Sequence, residues 1–341
     1  MKCGKVVAIP LLLAVSLLTA CGRKEIFTYN SSQVAMGCVV SQVLYGTKPG
    51  EMEKQGEEIA ALVNALEKDV LSRRLESSEL YKINMQADVG EFVVSDKMAN
   101  YLQKAIGVSQ RSDGAFDITI GNVVRLWNID AAAAGEEGFF LPTEEEITKL
   151  LMACGYDNVG LDKEKVQLEN GVSLDMGAIG KGIACDEIYE MVKNGKNDSI
   201  QGGIISVGGS IVAIGEKPDG NAYRVSIVHP REEGSIGVVS IRDGEFLSTS
   251  GDYERYVTYE GKRYHHILNP KTGYPANSGI CSVTVVTDSG LLSDALSTAC
   301  FVLGETEGLA LAESYGAKVM MVRKDGNIVM NDAMKDIFST Q

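Results

Sequence analysis

Between Ile204 and Leu268 the chain falls into short runs of alternating apolar and polar residues: Ile204 to Val207, Ile211 to Ile214, Tyr223 to Ile227, Val238 to Ile241, Tyr253 to Tyr259 and Arg263 to Leu268. Period-two alternation puts one face of a strand in a core and the other in solvent, and close spacing joins such strands antiparallel. These runs describe an antiparallel sheet. The segments on either side follow the helical period. Ile59, Leu62, Val63, Leu66 and Val70 recur at helical spacing between Glu51 and Leu71, and Ser95 caps a segment carrying Met98, Leu102 and Ile106. Thr143 and Glu146 form a capping-box pattern ahead of Ile147, Leu150 and Leu151, so a third helix starts just after Pro142. Leu291 to Leu303 and Glu305 to Ser314 read as the last helices, with a hairpin about Asp325-Gly326. Val166 to Leu168 and Val172 to Leu174 flank Glu169-Asn170-Gly171, a hairpin signal that leads into a helix ending near Lys193. Val34 to Val40 reads as the first strand, Lys24 to Ser32 as a polar tether, and Ala131 to Gly138 as a loop. Helices and hairpins in mixed order predict an α+β fold with mixed, largely antiparallel sheets and packed helices, not a βαβ repeat.

Lys2 and Lys5 precede an apolar run from Val6 to Ala20 that ends in Leu18-Thr19-Ala20-Cys21. The run is shorter than the roughly 20 residues of a spanning helix, and small residues before a cysteine suit lipoprotein processing. The expected organisation is a signal peptide over 1–20, a tether over 21–32 beginning at lipidated Cys21, and one folded domain over 33–341. The domain is then extracytoplasmic and held to the cell membrane by lipid on Cys21, each buried CH2 contributing about 0.8 kcal/mol. A formal charge of -14 argues against nucleic acid or an anionic lipid face as partner, since clustered Lys and Arg hold such surfaces. Apart from Cys3 and Cys21, the cysteines are Cys38, Cys154, Cys185, Cys281 and Cys300, with no CxxC pair. They read as small core residues, not a disulfide framework.

Gly177, Gly180 and Gly182 surround a helix start, where unpaired N–H groups and the helix dipole favour an anion. Their spacing matches neither the dinucleotide fingerprint nor a P-loop, so alone they also read as a packing turn. Gly202-Gly203 and Gly208-Gly209 would let a ligand approach backbone, or simply make a hairpin. Asp294 and Thr298, four apart, share one helix face, an oxygen pair suited to Mg2+ or to plain capping. His265 and His266 are adjacent, so on a strand they point to opposite faces and at most one meets a site.

From Met36 nearly to its end the chain resembles the ApbE-type FAD:protein FMN transferases. The resemblance is carried, in order, by Ala35-Met36-Gly37, by Gly114-Ala115-Phe116-Asp117-Ile118-Thr119 with Leu126-Trp127, by Leu174 to Gly182, and by Val207-Gly208-Gly209-Ser210. It continues in Thr249 to Tyr256, His266 to Gly273 and Ser293 to Thr298. The resemblance implies FAD as substrate, with its pyrophosphate bridged to Mg2+ held by the Ala178 carbonyl, Asp294 and Thr298. It implies nucleotide contacts from Met36, Ala115, Phe116, Asp117, Asp175, Lys181 and Leu268. It further implies that a Thr or Ser hydroxyl of an exported acceptor protein, a subunit of a redox system, attacks the FMN-side phosphorus and that AMP departs. His266 is the candidate for orienting or deprotonating that hydroxyl, because imidazole titrates near neutrality. Two alternatives remain at this point: an FAD pyrophosphatase giving FMN and AMP, and a non-catalytic flavin-binding lipoprotein. The chain departs from the family at Cys38, where Thr is common, and at Arg73-Arg74, where an aromatic often faces the flavin; a guanidinium also stacks on a flat ring.

Overall fold

The computed structural model describes residues 25–195 and 197–340, and the signal segment with Cys21 lies outside the described residues. The chain enters the fold as a hairpin. β1 (Phe27–Ala35) and β2 (Cys38–Gly46) pair from Phe27↔Gly46 to Ala35↔Cys38. Between them Met36 (φ 51°) and Gly37 (φ 65°) both take the left-handed conformation that a two-residue hairpin turn demands. The expected single strand from Val34 to Val40 is therefore two strands and a turn, and the expected tether is folded from Phe27 onward. Polar Asn30, Ser31, Ser32 and Gln33 hid the strand because β1 is a sheet edge, where alternate side chains face water.

The elements that follow are α1 (Pro49–Ala65), continuing through a π-helical turn at Leu66–Leu71, α2 (Glu79–Met85), β3 (Phe92–Val93), α3 (Asp96–Arg111), α4 (Gly121–Trp127), α5 (Ile129–Ala133), α6 (Glu144–Leu151), β4 (Val159–Asp162), β5 (Lys165–Leu168) and α7 (Gly180–Asn194). The second half contains β6 (Ile200–Val207), β7 (Ser210–Gly215), β8 (Tyr223–Val228), β9 (Ser235–Ile241), β10 (Phe246–Gly251), β11 (Tyr256–Tyr259), β12 (Lys262–His265) and β13 (Ile280–Thr287). It closes with α8 (Gly290–Leu303), α9 (Glu305–Ser314), β14 (Lys318–Arg323), β15 (Ile328–Met330), α10 (Asp332–Lys335) and β16 (Phe338–Ser339). The α+β expectation holds. No helix of the described residues is long and apolar enough to cross a membrane.

An eight-stranded sheet in the order β1-β2-β6-β7-β10-β13-β14-β15 is the frame, and its ladders are antiparallel. The alternating runs after Ile204 do not make one sheet, as expected, but divide among three. β8 and β9 join β16, and β11 and β12 form a separate hairpin. Alternation marks which face of a strand is buried, not which strand lies beside it. Tyr223, Val225 and Ile227 of β8 pack over Ala213, Leu247 and Val286, so the small sheet covers one face of the frame. The other face carries the main core, where α1, α3, α7 and α8 contribute Ile59, Leu102, Ile183, Leu296 and Phe301, all buried.

The helix starting behind Thr143 is present, and its capping box is complete. The hairpin expected about Asn170-Gly171 is absent. β5 pairs instead with β4 and β3, and Val172 to Leu174 leave the sheet. Asn84 takes the place of a strand neighbour there, donating from Nδ2 to the Leu174 carbonyl (2.9 Å) and accepting the Leu174 N–H at Oδ1 (2.7 Å). Part of the expected loop after Ala131 is helical in α5.

Candidate active site

A cleft of about 390 Å³ opens between the Met36-Gly37 turn, the N-terminal end of α7 and the chain from Glu254 to Pro270. Met36, Ala115, Phe116, Asp117, Asp175, Ala178, Lys181, His266, Leu268, Asp294 and Thr298 all line it. Residues scattered over some 260 positions of chain are thus brought to one wall-to-wall space. Of the candidate residues, only Cys21 falls outside the described chain.

The cleft floor depends on a close helix crossing. A Cβ added at Gly182 of α7 would lie 2.0 Å from the Gly290 carbonyl oxygen, and one at Gly290 of α8 would lie 2.2 Å from the Gly182 oxygen. Only glycine fits at either position. The contact lets two aspartates reach across. Asp186 on α7 accepts the Gly290 N–H at Oδ1 (2.6 Å) and the Leu291 N–H at Oδ2 (2.9 Å), answering unpaired donors at the start of α8. Asp294 on α8 accepts the Gly182 N–H at Oδ2 (2.6 Å) and the Ser210 hydroxyl at Oδ1 (2.6 Å). Two helices therefore pin each other, and the pinning fixes the Asp294 carboxylate in the floor of the cleft. Thr298, one turn along α8, has Oγ1 3.3 Å from Ser250 Oγ on β10.

Ala178 is exposed in the turn just before α7, which closes through the Gly180 N–H on the Met176 carbonyl (2.8 Å). Asp175 opens this turn. Its Oδ1 accepts the Gly177 N–H (2.7 Å) and its Oδ2 meets Arg73 Nε (2.7 Å). The segment in which an aromatic was expected thus sends a guanidinium to the cleft edge, held by an aspartate that itself lines the cleft. Asp117 has both oxygens occupied, Oδ1 by the Thr119 N–H and hydroxyl and Oδ2 by the Tyr156 N–H (3.0 Å), and burial pushes its pKa up. The Met36 N–H donates to Glu67 Oε2 (2.8 Å), tying the hairpin turn to the π-helical segment.

The two histidines part, with His265 ending β12 and His266 just beyond it. His265 is buried with Nε2 3.0 Å from the Ala276 carbonyl, and His266 faces the cleft. The His266 main-chain N–H and side-chain Nδ1 both lie 3.1 Å from the Arg255 carbonyl. A carbonyl can only accept, so Nδ1 carries the proton and Nε2 keeps its lone pair. Burial, then the nearby Arg255 and Lys181 charges, hold the His266 pKa well below the ordinary imidazole value. The ring is therefore neutral at physiological pH.

Three residues that line or brace the cleft carried no individual signal in the sequence: Asp130, which lines it, and Ser210 and Asp186, which lie behind its lining. Ser210 ends the Val207 to Ser210 motif, and its hydroxyl positions Asp294. Asp186 had only its place one turn after Gly182 to mark it. Asp130, the residue just before the segment read as loop, pairs with Arg255 Nη1 at 2.9 Å. Among the described residues Cys38, Cys154, Cys185, Cys281 and Cys300 are free thiols, and of these Cys38 lines the cleft.

Comparison with known proteins adds a consistent set of matches. The model of the ApbE family matches residues 36–321. A relative from Haemophilus influenzae named FAD:protein FMN transferase is 31% identical, the match covering 96% of this chain and 97% of the relative. A protein of the same name from Treponema pallidum is 31% identical over 90% of this chain and 88% of its own. The crystal structure of the ApbE protein from Thermotoga maritima superimposes with a TM-score of 0.83 at 30% identity, covering 91% of this chain and 99% of that one.

Proposed function

The chain belongs to the ApbE family, and we propose that it is an FAD:protein FMN transferase that uses Mg2+ to move the FMN half of FAD onto a Thr or Ser hydroxyl of an exported redox protein. The observation that carries this reading is one cleft holding a fixed carboxylate, Asp294, together with a neutral imidazole whose Nε2 has no hydrogen-bond partner among the described residues.

The donor set fits a hard divalent cation. Asp294 supplies one charge, and Gly182 and Ser210 each engage one of its oxygens, leaving further lone pairs for a metal. With the Thr298 hydroxyl and the exposed Ala178 carbonyl this makes an all-oxygen set, which suits Mg2+ because that ion completes its shell with water and substrate phosphate. When bound, Mg2+ neutralises charge on the pyrophosphate. Lys181 and the N-terminal end of α7 attract the same phosphates. Met36, Ala115, Phe116, Asp175 and Leu268 hold the flavin nucleotide against the cleft wall. His266 accepts the acceptor hydroxyl proton at Nε2 as oxygen bonds to the FMN-side phosphorus. The phosphorus–oxygen bond to AMP breaks, and AMP leaves with that electron pair. Arg255 orients the ring through its carbonyl.

The basic leader and the apolar run ending at Cys21 support an extracytoplasmic enzyme attached to the membrane by lipid on that cysteine. The test of the catalytic reading is AMP release from FAD in the presence of an acceptor domain, with Mg2+ and with chelator. Metal-dependent AMP matched by modified acceptor supports it. Tight FAD binding without AMP under either condition would make the chain a flavin binder, and AMP with free FMN and unmodified acceptor would make it a pyrophosphatase.

A further inference from the structure

Behind the wall that carries His266 lies a second pocket of about 650 Å³. The wall is thin. Gly251 and His266 face the cleft, while their chain neighbours Asp252 and His265 face the pocket. Arg231, Lys262, Arg263 and Lys324 line it against a single acid, Asp252, an excess of three positive charges on a chain whose formal charge is -14. Arg231 binds Asp252 through two 2.7 Å contacts, so that pair is internally neutral. The other three cations are not in ion pairs among the described residues: Lys324 Nζ donates to Asn277 Oδ1 (2.7 Å), Lys262 lies over the Tyr264 ring and Arg263 stacks on Tyr256 at 3.9 Å. Concentrated positive charge on an acidic molecule selects an anionic occupant.

We propose that this pocket docks a carboxylate-rich segment of the acceptor protein. The inference rests on the transferase reading, since it is the acceptor that must be held beside His266. An occupant here touches Tyr264 and His265, directly preceding His266 in the chain, so docking and delivery of the hydroxyl share one wall. An anionic membrane surface is disfavoured by the formal charge of -14, which repels it over the rest of the molecule, whereas a short acidic segment meets only the local basic lining.

The test uses the full chain without FAD and a fluorescein-labelled aspartate-rich peptide, with its asparagine counterpart as control. Binding of the aspartate peptide alone, weakened about tenfold or more in Lys262→Glu/Arg263→Glu and again in Lys324→Glu, supports the proposal. Lys324 sits in the turn after β14, so its variant is independent of the β11–β12 hairpin. FAD affinity is expected to stay unchanged in both variants. Equal binding of the two peptides, or binding indifferent to these substitutions, overturns it. Capture of phosphatidylglycerol vesicles through the same residues, with no peptide binding, also overturns it in favour of a membrane contact. Because the peptide assay contains no FAD, it is read separately from the transferase reading, which fails only if the wild-type chain does not modify an acceptor.

Discussion

Asp294 carries two duties in one carboxylate: it closes the α7–α8 contact and, in the proposed mechanism, supplies the one protein charge on Mg2+. Asp294→Ala should abolish transfer and also leave the buried Gly182 N–H and Ser210 hydroxyl unpaired, at about 1–3 kcal/mol each. Asp294→Asn keeps a side-chain oxygen while removing the charge, so retained fold with lost Mn2+ binding by electron paramagnetic resonance would isolate the metal role. A variant that still binds metal and transfers FMN at full rate would end the assignment. For His266 the sign of the pH dependence follows from the ring. The base must be neutral, its pKa is held well below the ordinary value, and protonation switches it off only at pH below about 6.5. The acid limb of kcat should therefore lie beneath that pH. His266→Ala should lower kcat by about 10²–10⁴ and remove that limb while leaving FAD affinity nearly intact. An acid limb that survives the substitution belongs to another group. Cys38 offers a readout without turnover: it lines the cleft, so FAD should protect it from alkylation, whereas Cys154, whose pKa burial pushes up to about 11, should be slow with or without FAD.

At the level of elements, the Gly182–Gly290 crossing is what allows the Asp294 carboxylate to be held by a neighbouring helix. Gly182→Ala forces backbone apart at 2.0 Å, and we expect about 3 kcal/mol of destabilisation or more in urea unfolding, with loss of activity in the folded fraction. Unchanged stability would mean that the helices can separate freely. The sequence marked Gly182 as part of an anion-binding helix start, but its partner Gly290 carried no local signal, because a close crossing is a property of two elements that sequence spacing does not relate. The same limit explains the missing hairpin at Asn170-Gly171. The left-handed pair is real, with φ of 57° and 69°, yet the strand to follow it is captured by the Asn84 side chain. It also explains β1, whose polar edge-strand residues read as tether.

Across the whole molecule, what was legible was a group of residues that come to line the cleft, and the alternation of helix and strand periods. Met36, Asp117, Asp175, His266 and Asp294 were found through motifs in chain order, and the fold brings them to one space. What was not legible was how strands divide among sheets, and hence that the hairpin of β11 and β12 stands apart from the frame, with a basic pocket on one side of His265-His266 and the cleft on the other. FMN transfer is read directly from the intact mass of an exported acceptor domain after incubation with this chain, FAD and Mg2+. A gain of one FMN phosphoester at a single Thr or Ser, absent with Asp294→Asn, is expected. An unmodified acceptor, in the presence of FAD that is bound or cleaved to free FMN, would contradict it.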